Sequence, residues 1–149
     1  MKQSLFAGLL ILGLSSSAVL AQNNPFIKDP WTKSQLMAPF VLAELIKNPK
    51  AVKPLIFNIG VVEDIKGAKN MGAASEKENL ERFKKKLSSI PKNAALVIYC
   101  GCCPFEKCPN IRPAFKAMQK AGFKTGLLLN LPTNIKVDWI NKGFPLDKD

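Results

Sequence analysis

Short apolar runs alternate along the chain with segments whose apolar residues recur at helical spacing. The apolar runs have the length of buried strands, and they lie at residues 55–59, 96–99 and 127–131. The other segments predict helices at residues 40–46, 75–88, 114–122 and 133–140. A chain in which strands alternate with helices is typical of an α/β domain with a mainly parallel sheet. Ligands of such sheets gather at the carboxyl ends of the strands.

Local signals predict where these helices begin and end. Ser75 and Glu78 match a capping box at the start of the second helix. Asn110 and Thr133 are placed to cap the third and fourth helices, because their side chains can accept from free main-chain N–H groups. Gly122 is expected just beyond the third helix, because glycine accepts the left-handed backbone common there.

The first 21 residues have the features of a secretory signal peptide. Lys2 precedes an apolar stretch, and small residues lie ahead of an expected cleavage site after Ala21. We therefore expect an extended leader at 22–36 and one domain at 37–149, with a membrane involved only during export. The mature protein is predicted to be periplasmic or secreted, in a compartment where thiols tend to oxidise.

All four cysteines of the chain lie within nine residues, directly after the run at 96–99, namely Cys100, Cys102, Cys103 and Cys108. They separate a strand from the start of a helix, where the helix dipole and free N–H groups stabilise anions. A thiol at such a place has a lowered pKa. We expect Cys100, at the strand end, to be this thiolate and to alkylate faster at neutral pH than the other thiols.

Charge and composition narrow the possible chemistry. The formal net charge is +11, and the chain contains no histidine. Histidine-dependent triads and histidine-ligated zinc are therefore excluded. The basic surface favours anions, but no basic stripe interleaved with aromatic residues is present, so nucleic acid is not expected as a partner.

The cysteine cluster is compatible with several functions. Two disulfides are possible, but a disulfide closing a loop of about nine residues stabilises by only ~2.5 kcal/mol, which argues against a purely structural role. Sulfur transfer through a persulfide, thiol–disulfide exchange, and binding of a soft metal such as Cu(I) or zinc remain open. The sulfur-transfer interpretation, which we favour, assigns neither a cofactor nor a metal.

Several segments, in order along the chain, resemble those of single-domain rhodanese-like proteins. They are Ile65-Lys66-Gly67-Ala68, the strand and cysteine Val97-Ile98-Tyr99-Cys100, the helix from Ala114 to Gly122-Phe123, and Trp139 with Gly143-Phe144-Pro145. The resemblance implies a three-layer α/β domain with a central sheet of about five strands flanked by helices. Asn58 and Gly60 stand where that family often has an Asp-x-Arg pair, so the usual buried ion pair is not expected.

The resemblance also implies a sulfurtransferase or sulfur carrier. Cys100 would take a sulfur atom as a persulfide from a small sulfur oxyanion or a polysulfide, and would pass it to a thiol acceptor. Cys103 or Cys108 would resolve the persulfide. Arg112 and Lys107 would bind an oxyanion or lower the thiol pKa. The remaining predicted substrate-binding residues are Gly101, Cys102, Asn110 and Asn58.

Overall fold

The computed structural model describes residues 28–147, in which regular elements alternate as predicted. The strands are Leu36–Met37 (β1), Leu55–Asn58 (β2), Ala68–Asn70 (β3), Leu96–Tyr99 (β4) and Leu127–Leu129 (β5). The α-helices are Pro39–Lys47 (α1), Lys77–Ser88 (α2), Ile111–Lys120 (α3) and Ile135–Asp138 (α4). Short 3-10 helices occupy Lys33–Gln35, Phe105–Lys107 and Ile140–Lys142. The predicted signal peptide and the first part of the predicted leader lie outside the described residues.

The strands form one sheet in the order β1-β5-β4-β2-β3, with every neighbouring pair parallel. The predicted α/β domain with a parallel sheet of about five strands is therefore confirmed. The two edge strands were not predicted. β1 begins at Leu36, inside the segment expected to be an extended leader, and β3 follows the turn at Gly67.

Both faces of the sheet are covered by helices, which gives three layers. Along β4, Leu96 and Ile98 pack on one face, whereas Val97 and Tyr99 pack on the other. The first face is covered by α2 and α3, through Phe83, Leu87, Ile111, Phe115 and Met118. The second face is covered by α1 and α4, through Leu42, Ala43, Ile46 and Ile135. A strand buried on both sides explains why β4 is a continuous apolar run.

Three of the predicted helix caps are wrong, among them that of Asn110 before α3, whose side chain makes no capping bond. Helix α2 begins at Lys77, with Glu76 and not Ser75 in the cap position and with no side-chain capping bond. The Ser75 amide, which a capping box would bond to Glu78, donates to Asn110 Oδ1. Helix α4 is capped by Asn134, whose side chain accepts from the Val137 amide at 2.9 Å, and not by Thr133. The glycine predicted beyond α3 is confirmed, since Gly122 has a φ of +95°.

The C-terminal segment closes against the sheet through Trp139. Its indole N–H donates to the Pro145 carbonyl at 3.0 Å, and its ring meets Phe144 edge-on at 5.1 Å between centroids. An isolated antiparallel bridge joins Ile65 to Leu146. Within residues 28–147, none of the helices has the length and apolar character needed to span a bilayer.

Candidate functional site

The four cysteines lie in a loop, residues 100–110, that joins the carboxyl end of β4 to the start of α3; we call it the thiol loop. Its path depends on Gly101, which has a φ of +75°. A Cβ atom on Gly101 would lie 2.8 Å from the Ile135 Cβ, so the position excludes any side chain. The Gly101 carbonyl accepts from the Ile135 amide at 2.9 Å. Gly101 therefore docks the loop on α4.

Three of the sulfurs form a compact group. The Sγ atoms of Cys100, Cys102 and Cys108, which we call the sulfur triad, all lie within 4.8 Å of one another. Cys102 Sγ is 3.2 Å from Cys100 Sγ and 3.9 Å from Cys108 Sγ. Cys102 is exposed whereas the other two are buried, and all four cysteines are free thiols. Cys102 is therefore the member of the triad that solvent can reach.

Cys108 is the thiol at the start of α3. A hydrogen bond from the Cys100 thiol lowers the pKa of Cys108 to about 5, although burial opposes the shift. The main-chain N–H groups of Asn110, the residue before α3, and of Ile111, its first residue, lower this pKa further. Cys108 is only 3% exposed, so its negative charge is held by protein donors and not by water. These contacts therefore favour the ionised form of Cys108 over that of the other buried thiol, Cys100.

The expectation that Cys100 is the low-pKa thiol is therefore corrected. Its hydrogen bond to Cys108 raises the pKa of Cys100 far above the ordinary thiol value, and burial adds to this increase. Cys100 thus keeps its proton and donates it to neighbouring sulfurs. Cys103, which was a candidate for resolving a persulfide, lies outside the triad but has its Sγ 3.2 Å from Cys102 Sγ. Burial and the hydrogen bond with Cys102 raise the pKa of Cys103 to about 12.

Asn110 connects the sulfurs to the rest of the protein. It occupies the position before α3 but does not cap the helix. Its Oδ1 accepts from the Ser75 amide at 2.9 Å, and its Nδ2 donates to Cys100 Sγ at 3.3 Å and to Cys102 Sγ at 3.8 Å. Asn110 therefore contacts two of the four sulfurs and also fixes the segment that precedes α2.

Gly60 is a site residue that the sequence analysis did not identify. A Cβ at this position would lie 2.5 Å from Cys100 Sγ and 3.3 Å from the Cys100 Cα. Only a glycine therefore leaves room for the Cys100 side chain in its present orientation. Sequence alone marks Gly60 as one of nine glycines, and its contact with the thiol arises only when β2 and β4 pair.

Asn58 does not reach the sulfurs directly. Its Nδ2 donates to the Val62 carbonyl and to Asp64 Oδ1, each at 2.8 Å, and its Oδ1 accepts from the Gly60 amide at 3.0 Å. Asn58 is fully buried, and these bonds shape the segment that follows β2. Asn58 therefore acts on the sulfurs only indirectly, by positioning Gly60 against Cys100.

Tyr99 supports the same segment from β4. Its hydroxyl accepts from the Ile65 amide at 2.9 Å and donates to the Glu63 carbonyl at 3.1 Å. Burial raises the pKa of Tyr99 above the ordinary phenol value, so this hydroxyl stays protonated. The residue before Cys100 is therefore firmly anchored on the opposite face of the sheet.

Arg112 is committed to another contact. Its guanidinium donates to Asp29 Oδ1 at 2.7 Å and to the Phe105 carbonyl at 3.0 Å, and it lies over the Trp31 ring. Residues 28–31, which we call the N-terminal segment, are thereby fixed across the thiol loop. Within residues 28–147, Arg112 donates to none of the four sulfurs, so its predicted roles in anion binding and in lowering the thiol pKa find no support in these contacts.

Lys107 lies at the end of the short 3-10 helix of the thiol loop and is exposed. Within the described part of the chain it forms no hydrogen bond to a sulfur. Of the predicted site residues, the structure thus brings together the sulfur triad, Cys103 and Asn110. Gly101 and Asn58 act on the shape of the site, Arg112 contacts Asp29 and Phe105, and Lys107 is exposed.

Comparison with known proteins adds nothing to these observations. Neither a family model nor a curated protein or solved structure matches the chain. Any assignment of function therefore depends on the chemistry of the thiol loop and on the sequence resemblance described above.

Proposed function

We propose that the protein is a sulfurtransferase or sulfur carrier of the rhodanese type, in which the thiol loop takes up one sulfur atom as a cysteine persulfide. The observation that carries this proposal is the position of Cys108, a buried thiol at the start of α3 whose Sγ lies 3.9 Å from the exposed sulfur of Cys102. Neighbouring donors lower the pKa of Cys108, which favours its ionised form. Such a pairing supplies a nucleophile and a second thiol to act on its product. The signal-peptide features place this chemistry outside the cytoplasm in our proposal.

In the first step, the Cys108 thiolate attacks the outer sulfur of a donor such as thiosulfate or a polysulfide. The donor S–S bond breaks, and sulfite or the shortened polysulfide leaves with the bonding electron pair. Cys108 then carries a persulfide anion. The amides that stabilise the thiolate, those of Asn110 and Ile111, also stabilise this anion. The net charge of +11 favours the approach of an anionic donor.

In the second step, the sulfur leaves by one of two routes. An external thiolate attacks the outer sulfur, takes it as a new persulfide and restores the Cys108 thiolate. With no acceptor present, Cys102 attacks the inner sulfur, gives its proton to the departing hydrosulfide and forms a Cys102–Cys108 disulfide. A thiol reductant must then reduce that disulfide before the next cycle. Cys102 suits this role because its sulfur is exposed and adjacent.

The proposal is tested by weighing the protein after it has met a sulfur donor. The reduced Cys102→Ser variant, which cannot close the disulfide with Cys108, is incubated with thiosulfate or a polysulfide, and intact-mass spectrometry is expected to show the gain of one sulfur atom. In this background, Cys108→Ser should abolish the gain. Cys103→Ser is the matched control, because Cys103 lies outside the sulfur triad, and it should keep the gain.

Two results would count against the proposal. The absence of any mass gain in the fully reduced Cys102→Ser protein would refute sulfur transfer. A gain that survives in Cys108→Ser and disappears in Cys100→Ser would refute the assignment of the nucleophile and return it to the strand end. Circular dichroism of each variant establishes that the fold is retained in the comparison.

Thiol–disulfide exchange is the competing function, and the contacts of Cys102 favour it. Its sulfur lies 3.2 Å from those of both Cys100 and Cys103, so one exposed thiol has alternative partners. A protein of this kind would exchange disulfides with a dithiol substrate while taking up no sulfur atom. The same mass measurement therefore distinguishes the two functions.

A further inference from the structure

The sulfur triad has the dimensions of a metal site. Three sulfurs bonded at about 2.3 Å to one ion in a plane are about 4 Å apart. The measured separations are 3.2 Å and 3.9 Å from Cys102 to Cys100 and Cys108, and all three sulfurs lie within 4.8 Å of one another. Shifts of less than about 1 Å would therefore bring the three sulfurs to bonding distance of a common ion.

The donor set selects a soft ion that accepts three ligands. The triad is all sulfur, and within residues 28–147 no carboxylate joins the group. Zinc takes four ligands, so a zinc ion on the triad would leave its fourth position to water, whereas Cu(I) would not. The remaining thiol, Cys103, follows Cys102 directly in the chain and lies outside the group. Thiolate ligands select Cu(I), and three sulfurs without a fourth donor favour a trigonal Cu(I) site.

The surroundings of the triad suit the charge of such a complex. Binding would displace the remaining thiol protons, that of Cys100 included, to solvent. Three thiolates around one monovalent ion carry a net negative charge. The Asn110 side chain donates to Cys100 and Cys102, and the first amides of α3 are directed at Cys108. Donors of this kind orient metal ligands and stabilise their charged form. Cys102, being exposed, provides the path by which an ion would enter.

We infer that the thiol loop binds one Cu(I) ion per chain through Cys100, Cys102 and Cys108. The inference uses the sulfurs that the proposed sulfur transfer uses, but it stands on their geometry and does not require that function. Because Cu(I) would occupy the Cys108 thiolate, metal binding and persulfide formation exclude each other.

The test is an anaerobic titration of the reduced protein with Cu(I) in the presence of a competing Cu(I) chelator. We expect one ion per chain. Each of Cys100→Ser, Cys102→Ser and Cys108→Ser should weaken binding by about tenfold or more. Cys103→Ser should bind as the wild type does, which separates a defined site from general thiol affinity. X-ray absorption of the wild-type complex should show three sulfur neighbours, a result that depends on no variant.

Several results would overturn the inference. In the titration, these are a failure of the protein to take Cu(I) from the chelator, or the binding of more than one ion per chain. In the absorption spectrum, the contrary result is two sulfur neighbours in place of three. Among the variants, it is a loss of Cu(I) affinity in Cys103→Ser equal to that of the triad variants. Preferential binding of zinc through four sulfurs would also overturn it. If Cu(I) does not bind but a sulfur donor still produces a mass gain, the sulfur-transfer proposal stands and the Cu(I) site is refuted. If Cu(I) binds and no mass gain occurs, only the sulfur-transfer proposal is refuted.

Discussion

The pH profile of Cys108 alkylation is the sharpest prediction from the structure. A pKa of about 5 in the folded protein, against an ordinary value of 9.0, means that Cys108 ionises in mildly acidic solution. The chain has no histidine, so few other groups titrate between pH 5.5 and 7.5. We expect the rate constant for Cys108 to rise with pH and to reach half its plateau near pH 5.

The size of the expected change in alkylation rate depends on the pH at which the rate is measured. At pH 7 a thiol with a pKa of about 5 is ~99% thiolate, whereas one at 9.0 is ~1%, a gain of about 100-fold. The lower pKa also reduces the intrinsic nucleophilicity of the thiolate, by roughly 60-fold over four units. The two effects nearly cancel at pH 7. At pH 5 the gain in thiolate is about 5,000-fold, so the net advantage is on the order of 100-fold.

The assay is pulsed alkylation of the reduced protein with a small reagent, followed by peptide mass spectrometry of each cysteine across the pH range. Two variants test the cause of the shift. Cys100→Ala removes the hydrogen-bond donor that contributes most to lowering the Cys108 pKa, so the midpoint should rise. Cys100→Ser keeps an O–H donor at that position and should raise the midpoint less.

The test uses the pH midpoint of Cys108 alkylation and not the absolute rate, because Cys108 is buried and any reagent reaches it slowly. A midpoint near 9 in the wild-type protein would refute the argument. An acidic midpoint on the Cys100 peptide would show that the negative charge lies at the strand end. Equal midpoints for the two Cys100 variants would show that the hydrogen bond is not the cause.

Three further substitutions test how the site is held. Gly60→Ala should displace the Cys100 sulfur and thereby raise the pH midpoint of Cys108 alkylation. The same clash should reduce the free energy of unfolding by about 1–3 kcal/mol in a denaturant titration. Gly101→Ala combines a left-handed backbone with a clash against α4, so it should destabilise by about 1–3 kcal/mol more than Gly67→Ala, which shares the backbone but has open space. Equal losses would contradict that account. Asn110→Ala should reduce the free energy of unfolding by about 1–3 kcal/mol, because the Ser75 amide loses its acceptor. Asn110→Asp should restore much of that loss, and its negative charge beside the sulfurs should raise the pH midpoint of Cys108 alkylation. Unchanged unfolding in Asn110→Ala would show that the amide finds another acceptor.

The central layers of the fold were predictable because they leave a local pattern. Strands β2, β4 and β5 are buried apolar runs, and α1 to α3 carry apolar residues at helical spacing. The edge strands leave no such pattern. β1 has two residues, and β3 contains Lys69 and Asn70. Both are strands because a neighbouring strand pairs with them, and that pairing depends on the whole fold.

The site was predictable in place but not in detail. The clustering of thiols after a strand was evident, and so was their proximity to a helix start. The prediction that Cys100 carries the negative charge was wrong. Cys108, three residues before Ile111, lies closer to the start of α3, and the spacing of the cysteines in the sequence already indicated this. Asn110 was predicted as a site residue but also as the cap of α3, which it is not. Gly60 could not be predicted, because it meets Cys100 only across paired strands.

The N-terminal segment has a practical consequence for handling the protein. Asp29 and Trp31 contact Arg112, and Trp31 also meets Phe105 edge-on at 5.9 Å between ring centroids. Shortening the recombinant protein to the start of β1 would remove both contacts and loosen the loop that carries the cysteines, even though no cysteine is touched. Affinity tags therefore belong at the far end of the chain, and truncated versions should not be used to measure thiol reactivity.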